Sequence, residues 1–377
     1  MDLSEIASSR LHNQHLTGPP LASPVQVVQW LGAVQAQDYA GAKWALGQRA
    51  QDVTDADLDR LFDAGAILRT HVLRPTWHFV DPADAYWLLQ LTGPRLRQSL
   101  RGRHRQLELS EREIAQAGDV LATALAGGGS LTRAELGTAL RTAGIAPDGQ
   151  RLPHLLLCAE LDALIVSGPL RGRQFTWMLF DARAPKSPRL DPEEAAVRLV
   201  CRYLQSHGPA RLQDFTWWSG LSLRAARQAV AAAGRAVSSL TNGDQEYWYV
   251  NSESTRSAAK PWPPGHLLAN WDEYTVGYRD RSAAVDAADA PHIARLAFGS
   301  VLANVATIDG RVRGGWSRTI GRQSVDVQVQ PFGPMSRADL DALEGAAERF
   351  GRFLGRPARL RMTASAVGSP SERSEIS

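Results

Sequence analysis

Apolar residues Val27, Val28, Leu31 and Val34 recur at helical spacing behind Ser23-Pro24, a capping serine followed by proline at the first helical position. They predict a helix with one buried face. TDADLDRLFDAG follows as a second helix, with Thr54 or Asp55 as its cap and Gly65 as its stop. In AILRTHVLRPTWHFVD the period shortens: β-formers alternate around Arg74-Pro75 and predict a short hairpin carrying Arg69, His71, Arg74 and His78. Helix, helix, basic hairpin is the order of a winged helix-turn-helix.

That order recurs. SEREIAQAGDVLATALAG, GGGSLTRAELGTALRTAG and LPHLLLCAELDALIV predict three helices, the last running into a strand, before the basic hairpin SGPLRGRQFTWMLF. PEEAAVRLVCRYLQSHG, ARLQDFTWWSG and SLRAARQAVAAAG predict three more, before TNGDQEYWYV with its Asn-Gly turn. After about residue 265, LLANWDEYTVGYRDRS, GSVLANVATIDGRVRGGWSRTI and QSVDVQVQPF read as strands, with turns at Asp309-Gly310 and Gly314-Gly315. SRADLDALEGAAERFGRFLG is a final amphipathic helix and PARLRM a last strand. The expected class is α+β: three tandem winged helix-turn-helix units at 1–110, 111–185 and 190–256, a β-rich part at 265–363, and a disordered tail at 364–377. Pro-rich connectors lie at 184–192 and 257–266. A generic helical array is the plainer reading of such repeats.

Composition changes this picture in one respect. Net charge is only +3, but just three of the forty-two basic residues are lysines (Lys43, Lys186, Lys260). Guanidinium stays charged and grips phosphate with a planar fork, which suits nucleic acid, although a compositional bias toward arginine would give the same count. Cys158 and Cys201 are far apart and form no ligand cluster, and His71 with His78 is the one histidine pair close enough to suggest a metal. In a basic hairpin those histidines fit phosphate or base contacts better, so neither metal nor cofactor is expected. P-loop, dinucleotide, zincin and nucleophile-elbow motifs do not occur. The N-terminus lacks a signal-peptide pattern, and no run approaches the roughly 18 apolar residues of a membrane helix, so a cytoplasmic monomer is expected.

The fragment Gln35-Ala36-Gln37-Asp38 stands where the first helix should end. In extended backbone, residues two apart share a side, so Gln35 and Gln37 can aim their amides at one point. Two neutral amides can hold a water by both hydrogen-bond senses. Spacing alone leaves the plainer alternative open, one glutamine capping the helix and the other solvated. Read together and in order, QAQD, RTHVLRPTWHFVD, NWDEYTVGYRDRS and DGRVRGGWSR resemble the AlkZ/YcaQ-like family of winged-helix DNA glycosylases, from about Leu11 to Leu360. The resemblance implies a C-shaped clamp on double-stranded DNA. It also implies excision of N7-alkylated purines, including bulky adducts or interstrand crosslinks from DNA-alkylating natural products. The family's catalytic Gln-x-Gln matches Gln35 and Gln37.

That chemistry fits neutral amides. An N7-alkylguanine is already cationic and leaves C1′ without a general acid, so the remaining task is orienting a water. Cationic lesions, not uracil, are the expected substrates. A lyase would need an amine nucleophile, and Lys43 is the one lysine near the motif, so a monofunctional hydrolase is expected. Lys43, Arg69, His71, Arg74, His78, Arg171, Arg173, Arg311, Arg313 and Arg318 are the candidate DNA contacts. Asp272, Tyr274 and Arg279 carry part of the resemblance, with a structural ion pair as their expected role. Trp217-Trp218 should fill a core. The competing functions are a non-catalytic DNA-binding regulator, which would ignore the glutamines, and a protein that sequesters an alkylating metabolite.

Overall fold

The computed structural model describes residues 1–184, 189–251, 264–298 and 301–363. Parts of both Pro-rich connectors and the whole expected tail therefore lie outside the described residues. Helix α1 (Leu3–Asn13) begins the chain, its first N–H groups accepted by Asp2 while Glu5 returns the bond in a capping box. The first repeat comprises α2 (Pro24–Leu31), β1 (Val34–Gln35), α3 (Tyr39–Gly47), α4 (Asp55–Ala64), β2 (Leu68–His71) and β3 (Trp77–Val80). Helix α5 (Pro82–Gln106) leads to the second: α6 (Glu111–Ala124), β4 (Leu131–Thr132), α7 (Arg133–Thr142), α8 (Arg151–Leu161), β5 (Ile165–Ser167) and β6 (Thr176–Leu179). After the short α9 (Phe180–Arg183) the third repeat has α10 (Pro192–His207), α11 (Leu212–Ser219), α12 (Leu223–Ala233), β7 (Val237–Asn242) and β8 (Gln245–Val250). The first two repeats close three-stranded sheets of matching order, β1-β3-β2 and β4-β6-β5. In the third, a bridge between Ala210 and Trp248 stands in place of the first strand.

The C-terminal part contains β9 (Gly265–Leu268), α13 (Glu273–Val276), α14 (Ala290–Leu296), β10 (Ala297–Phe298), β11 (Val301–Leu302), β12 (Val305–Ile308), β13 (Arg311–Ile320), β14 (Val325–Pro331), α15 (Arg337–Phe353) and β15 (Ala358–Met362). Its main sheet runs β15-β14-β13-β12-β9, antiparallel except for β14–β15, which α15 joins as a crossover. Two expectations fail here. NWDEYTVGYRDRS is not a strand: β9 ends at Leu268 and the segment folds into α13. Nor is Gly314-Gly315 a turn, since both lie within β13. Gly314 serves close approach instead, because a Cβ there would come within 2.4 Å of the Gln330 carbonyl oxygen.

Two large cores place the first repeat between the others. Val27, Val28 and Leu31 of α2 and Leu58 and Phe62 of α4 pack with Val325, Val327 and Val329 of β14 and Phe350 of α15. Leu68, Val72 and Val80 of the hairpin pack instead with α5 and with Leu199, Phe215 and Trp218 of the third repeat. The second repeat has a core of its own, around Leu121, Leu136 and Leu155. It meets the first through Glu160 of α8, which is 1% exposed. Glu160 Oε2 accepts the His71 N–H at 3.1 Å and lies 2.5 Å from His71 Nδ1, while Oε1 accepts the Trp177 indole N–H at 2.7 Å.

Burial alone would raise the Glu160 carboxyl, but its contacts with His71 and Trp177 prevail and hold it below its ordinary 4.5. A carboxylate lowered on folding stabilises the fold above that value, and the contribution is lost as pH falls below it. Thermal melts from pH 5 down to pH 2 should therefore fall less steeply for Glu160→Gln than for wild type. Parallel slopes would show that this ion pair does not couple to pH.

Candidate active site

The helix α2 stops at Leu31, earlier than the apolar spacing suggests, and the chain enters β1 directly. Gln35 lies opposite His78 in the ladder, and pairing continues through Ala36, whose N–H donates to the Trp77 carbonyl at 2.7 Å. Val34 and Ala36 point into the core beneath α2 and α3. The strand ends at Gln35, and Gln37 lies just past it in a bend. They are not equivalent: Gln35 is only 4% exposed, whereas Gln37 is open to solvent and makes no hydrogen bond among the described residues.

Gln35 is held at both ends. Its N–H donates to Glu273 Oε1 at 2.9 Å, and its side-chain Oε1 accepts from Arg74 Nη2 at 2.7 Å. Guanidinium can only donate, so this contact fixes which end of the amide is oxygen. Gln35 Nε2–H is thereby left to face outward, with no partner among the described residues. Arg74 sits in a tight loop where Leu73 takes a φ of +62°. The loop is braced by the end of α11, where a Cβ on Gly220 would meet the Leu73 carbonyl oxygen at 2.3 Å. Burial pushes the Arg74 guanidinium down from its ordinary pKa, and the nearby charge of Glu273 opposes that shift. His78 is pushed well below its ordinary range, first by burial and then by Arg74. It is therefore neutral, and Nδ1, 2.9 Å from the Thr76 carbonyl, carries the proton.

Around Gln35 the polar groups are incompletely satisfied. Arg74 Nε, Thr76 Oγ1 and His78 Nε2 are all shut from solvent without a partner among the described residues. Such groups are uncommon in folded proteins, and three within five residues leave hydrogen-bonding capacity beside Gln35 that the described residues do not fill.

Glu273, which sequence reasoning missed, is fully buried at the start of α13. Besides Gln35 it accepts the Trp218 indole N–H at 2.8 Å and lies 3.3 Å from His207 Nε2. Burial pushes the His207 imidazole down, with Glu273 partly offsetting it. The neighbouring Asp272 is engaged in a two-pronged pair with Arg49, at 2.9 and 2.8 Å, both groups buried. Tyr274 donates its hydroxyl to the Gly310 carbonyl at 2.8 Å, and Arg279 is exposed. Trp218 fills the core, whereas Trp217 is half-buried, 5.9 Å from Arg74, and donates to the Val276 carbonyl.

Several candidate DNA contacts prove to be internal. Lys43 is 5% exposed, with Nζ 2.8 Å from both Asp55 and Asp59, so two carboxylates take the place of the expected phosphate. Arg69 lies between the rings of Trp77 (4.2 Å) and Phe175 (4.4 Å), and its Nε donates to the Ala36 carbonyl. Burial lowers its pKa to about 10, so it stays charged at neutral pH. His71 is taken by Glu160, and His78 is fully buried beside Gln35. β2 and β3 are buried along their length, which leaves Arg69, His71 and His78 no open face for the expected phosphate. The remaining candidates lie nearer solvent. Arg171 is exposed and paired with Glu135, and Arg173 is exposed with no partner among the described residues. Arg311 and Arg313 share Asp286, and Arg318 lies against Trp316.

Comparison with known proteins identifies the family. The model of the family described as DNA glycosylase AlkZ-like matches residues 28–353. The chain belongs to that family. It is 26% identical over 367 residues to an interstrand DNA cross-link repair glycosylase of Streptomyces sahachiroi, covering 93% of this chain and 96% of the relative. The solved structure of the Streptomyces sahachiroi DNA glycosylase AlkZ superposes with a TM-score of 0.77 at 23% identity, over 96% of this chain and all of that one, which establishes the shared fold. Among the described residues no helix is long and apolar enough to cross a membrane.

Proposed function

We propose that this DNA glycosylase hydrolyses the N-glycosidic bond of cationic N7-alkylated purines in double-stranded DNA, as a cytoplasmic monomer without an amine nucleophile. Bulky adducts and interstrand crosslinks made by alkylating natural products are the natural substrate class, in repair or self-resistance. The observation that carries this reading is the oriented Gln35 amide among unsatisfied polar groups. Gln35 Nε2–H donates to a water and the exposed Gln37 supplies an acceptor, so the water's lone pair can be turned toward C1′ with no charged group required. The three repeats act as winged-helix units over 1–110, 111–185 and 190–256, with 265–363 completing a C-shaped clamp. Their repeated element order, and the matching sheet orders of the first two, support that division. Wild-type protein should release N7-methylguanine from methylated duplex and leave uracil in place. Efficient uracil release would overturn the restriction to cationic bases, and a protein releasing neither N7-methylguanine nor a bulkier N7 adduct would be a DNA binder instead.

Arg171, Arg173, Arg311, Arg313 and Arg318 are the surface through which duplex is held. Arg173→Ala should weaken binding to unrelated sequences alike and reduce the salt dependence of log K by about 1. Lys43→Met should leave that slope unchanged. Anisotropy titrations across a KCl series check both, and a reduced slope for Lys43→Met would put that lysine back on the DNA.

A further inference from the structure

A second polar site lies at the other end of α3 from the glutamine pair. Helix α3 is 9 residues long, which sets the two ends roughly 13 Å apart. There the end of α3, the loop after α1, β9 and the last turns of α15 enclose a cleft of about 400 Å³, within the size range of small-molecule sites. Two of its lining groups are shut from solvent with no partner among the described residues: Gln48 Nε2 and His266 Nε2, the latter on a side chain only 4% exposed. Burial, and then the charges of Arg349 and Arg49, hold His266 down at about 3, so it is a neutral ring.

The cleft also collects two cations that form no ion pair among the described residues. Arg349 is half-buried and has one bond, from Nη2 to the Gly265 carbonyl at 2.5 Å. Arg352 lines the same cleft, is exposed, and its guanidinium has no partner among the described residues. Burial and then Arg352 lower the Arg349 guanidinium to about 10, with the charge of Glu348 only partly offsetting them, so the two guanidiniums oppose each other. The one acid in the lining, Asp52, is exposed and forms no ion pair with either. Two mutually repelling guanidiniums with no ion pair share this cleft with an unsatisfied amide N–H, and the forked donors of arginine match phosphate oxygens best. We infer that this cleft binds a phosphate group, carried either by a mononucleotide or by the DNA backbone. The inference does not depend on the chemistry at Gln35, so either can fail without the other.

The test follows thermal stability with inorganic phosphate and with deoxyadenosine 5′-monophosphate, against KCl of equal ionic strength. Wild type should gain about 2 °C or more in Tm over the KCl control. Arg352→Gln, which breaks no contact in the fold, should lose most of that gain. Gln48→Glu adds a carboxylate to the lining that the two arginines share, so it should raise the Tm of the ligand-free protein and abolish the response. An equal gain in KCl, or an undiminished gain in both variants, would overturn the site. The source is read from a parallel arm: loss of duplex affinity in Arg352→Gln assigns the phosphate to DNA, and unchanged duplex affinity with lost nucleotide response assigns it to a free nucleotide.

Discussion

The Gln35→Ala/Gln37→Ala double variant is expected to release N7-methylguanine from methylated duplex at least about 100-fold more slowly than wild type, with duplex affinity unchanged. The size of the effect follows from what the pair is asked to do. The departing base is already a cation and leaves neutral, so no protonation of the leaving group remains to compensate for a lost water orientation; the proton released is the attacking water's own. Gln35 is suited to the task because neither end of it can drift: Glu273 holds its N–H and Arg74 holds its Oε1. Gln37 is exposed and unbonded, so Gln37→Ala alone should cost less than Gln35→Ala, which also releases the Arg74 guanidinium from its acceptor. The backbone bond from residue 35 to Glu273 survives in both substitutions, so the fold should persist, as melting curves can verify. Single-turnover release measured beside anisotropy separates catalysis from binding. If the double variant releases base at the wild-type rate, the glutamines are a strand terminus and a regulator becomes the better reading.

The parts of this molecule legible in its sequence are those that local forces decide. Ser23-Pro24 begins a helix because the serine oxygen accepts an N–H that the turn itself orphans, and α2 begins there. Asn242-Gly243 closes the β7–β8 hairpin for a similarly local reason. The hairpin at Arg74-Pro75 was legible as backbone, but its basic side chains were not legible as interior. Arginine and histidine are usually found at surfaces, and only the second repeat, arriving about ninety residues later with Glu160, covers β2. Glu160 gave a signal, a lone acid in the apolar run LLLCAEL, and a buried charge of that kind must find a partner. The sequence does not say which partner. The same holds for the Gln35 site: 238 positions separate Gln35 from the carboxylate that fixes its backbone. No periodicity extends over that distance, and the resemblance pointed to Asp272 and Tyr274 on either side of Glu273, not to Glu273 itself.

Glu273→Ala should both destabilise the protein, by about 3–5 kcal/mol, and disable release of alkylated base in the fraction that still folds. The carboxylate accepts from Gln35 N–H and the Trp218 indole and lies beside His207, all of them buried, so deletion strands at least two buried donors. It also removes the negative charge that opposes the burial of Arg74, and Arg74 then has reason to leave Gln35 for solvent. Glu273→Gln separates these effects. An amide can still accept the Gln35 N–H through Oε1, but it sets an NH₂ against the Trp218 N–H and carries no charge for Arg74. It should therefore fold at lower temperature than wild type and, below its Tm, bind methylated duplex normally while releasing base more slowly. A purely structural glutamate would lower Tm and leave the single-turnover rate of the folded protein intact. Asp272→Asn supplies that comparison, since Asp272 is tied to Arg49 and makes no contact with Gln35. A slow rate in Glu273→Gln together with a near-normal rate in Asp272→Asn places the control of water orientation in the Glu273–Gln35–Arg74 connection. Equal rates in the two variants would assign Glu273 to stability alone.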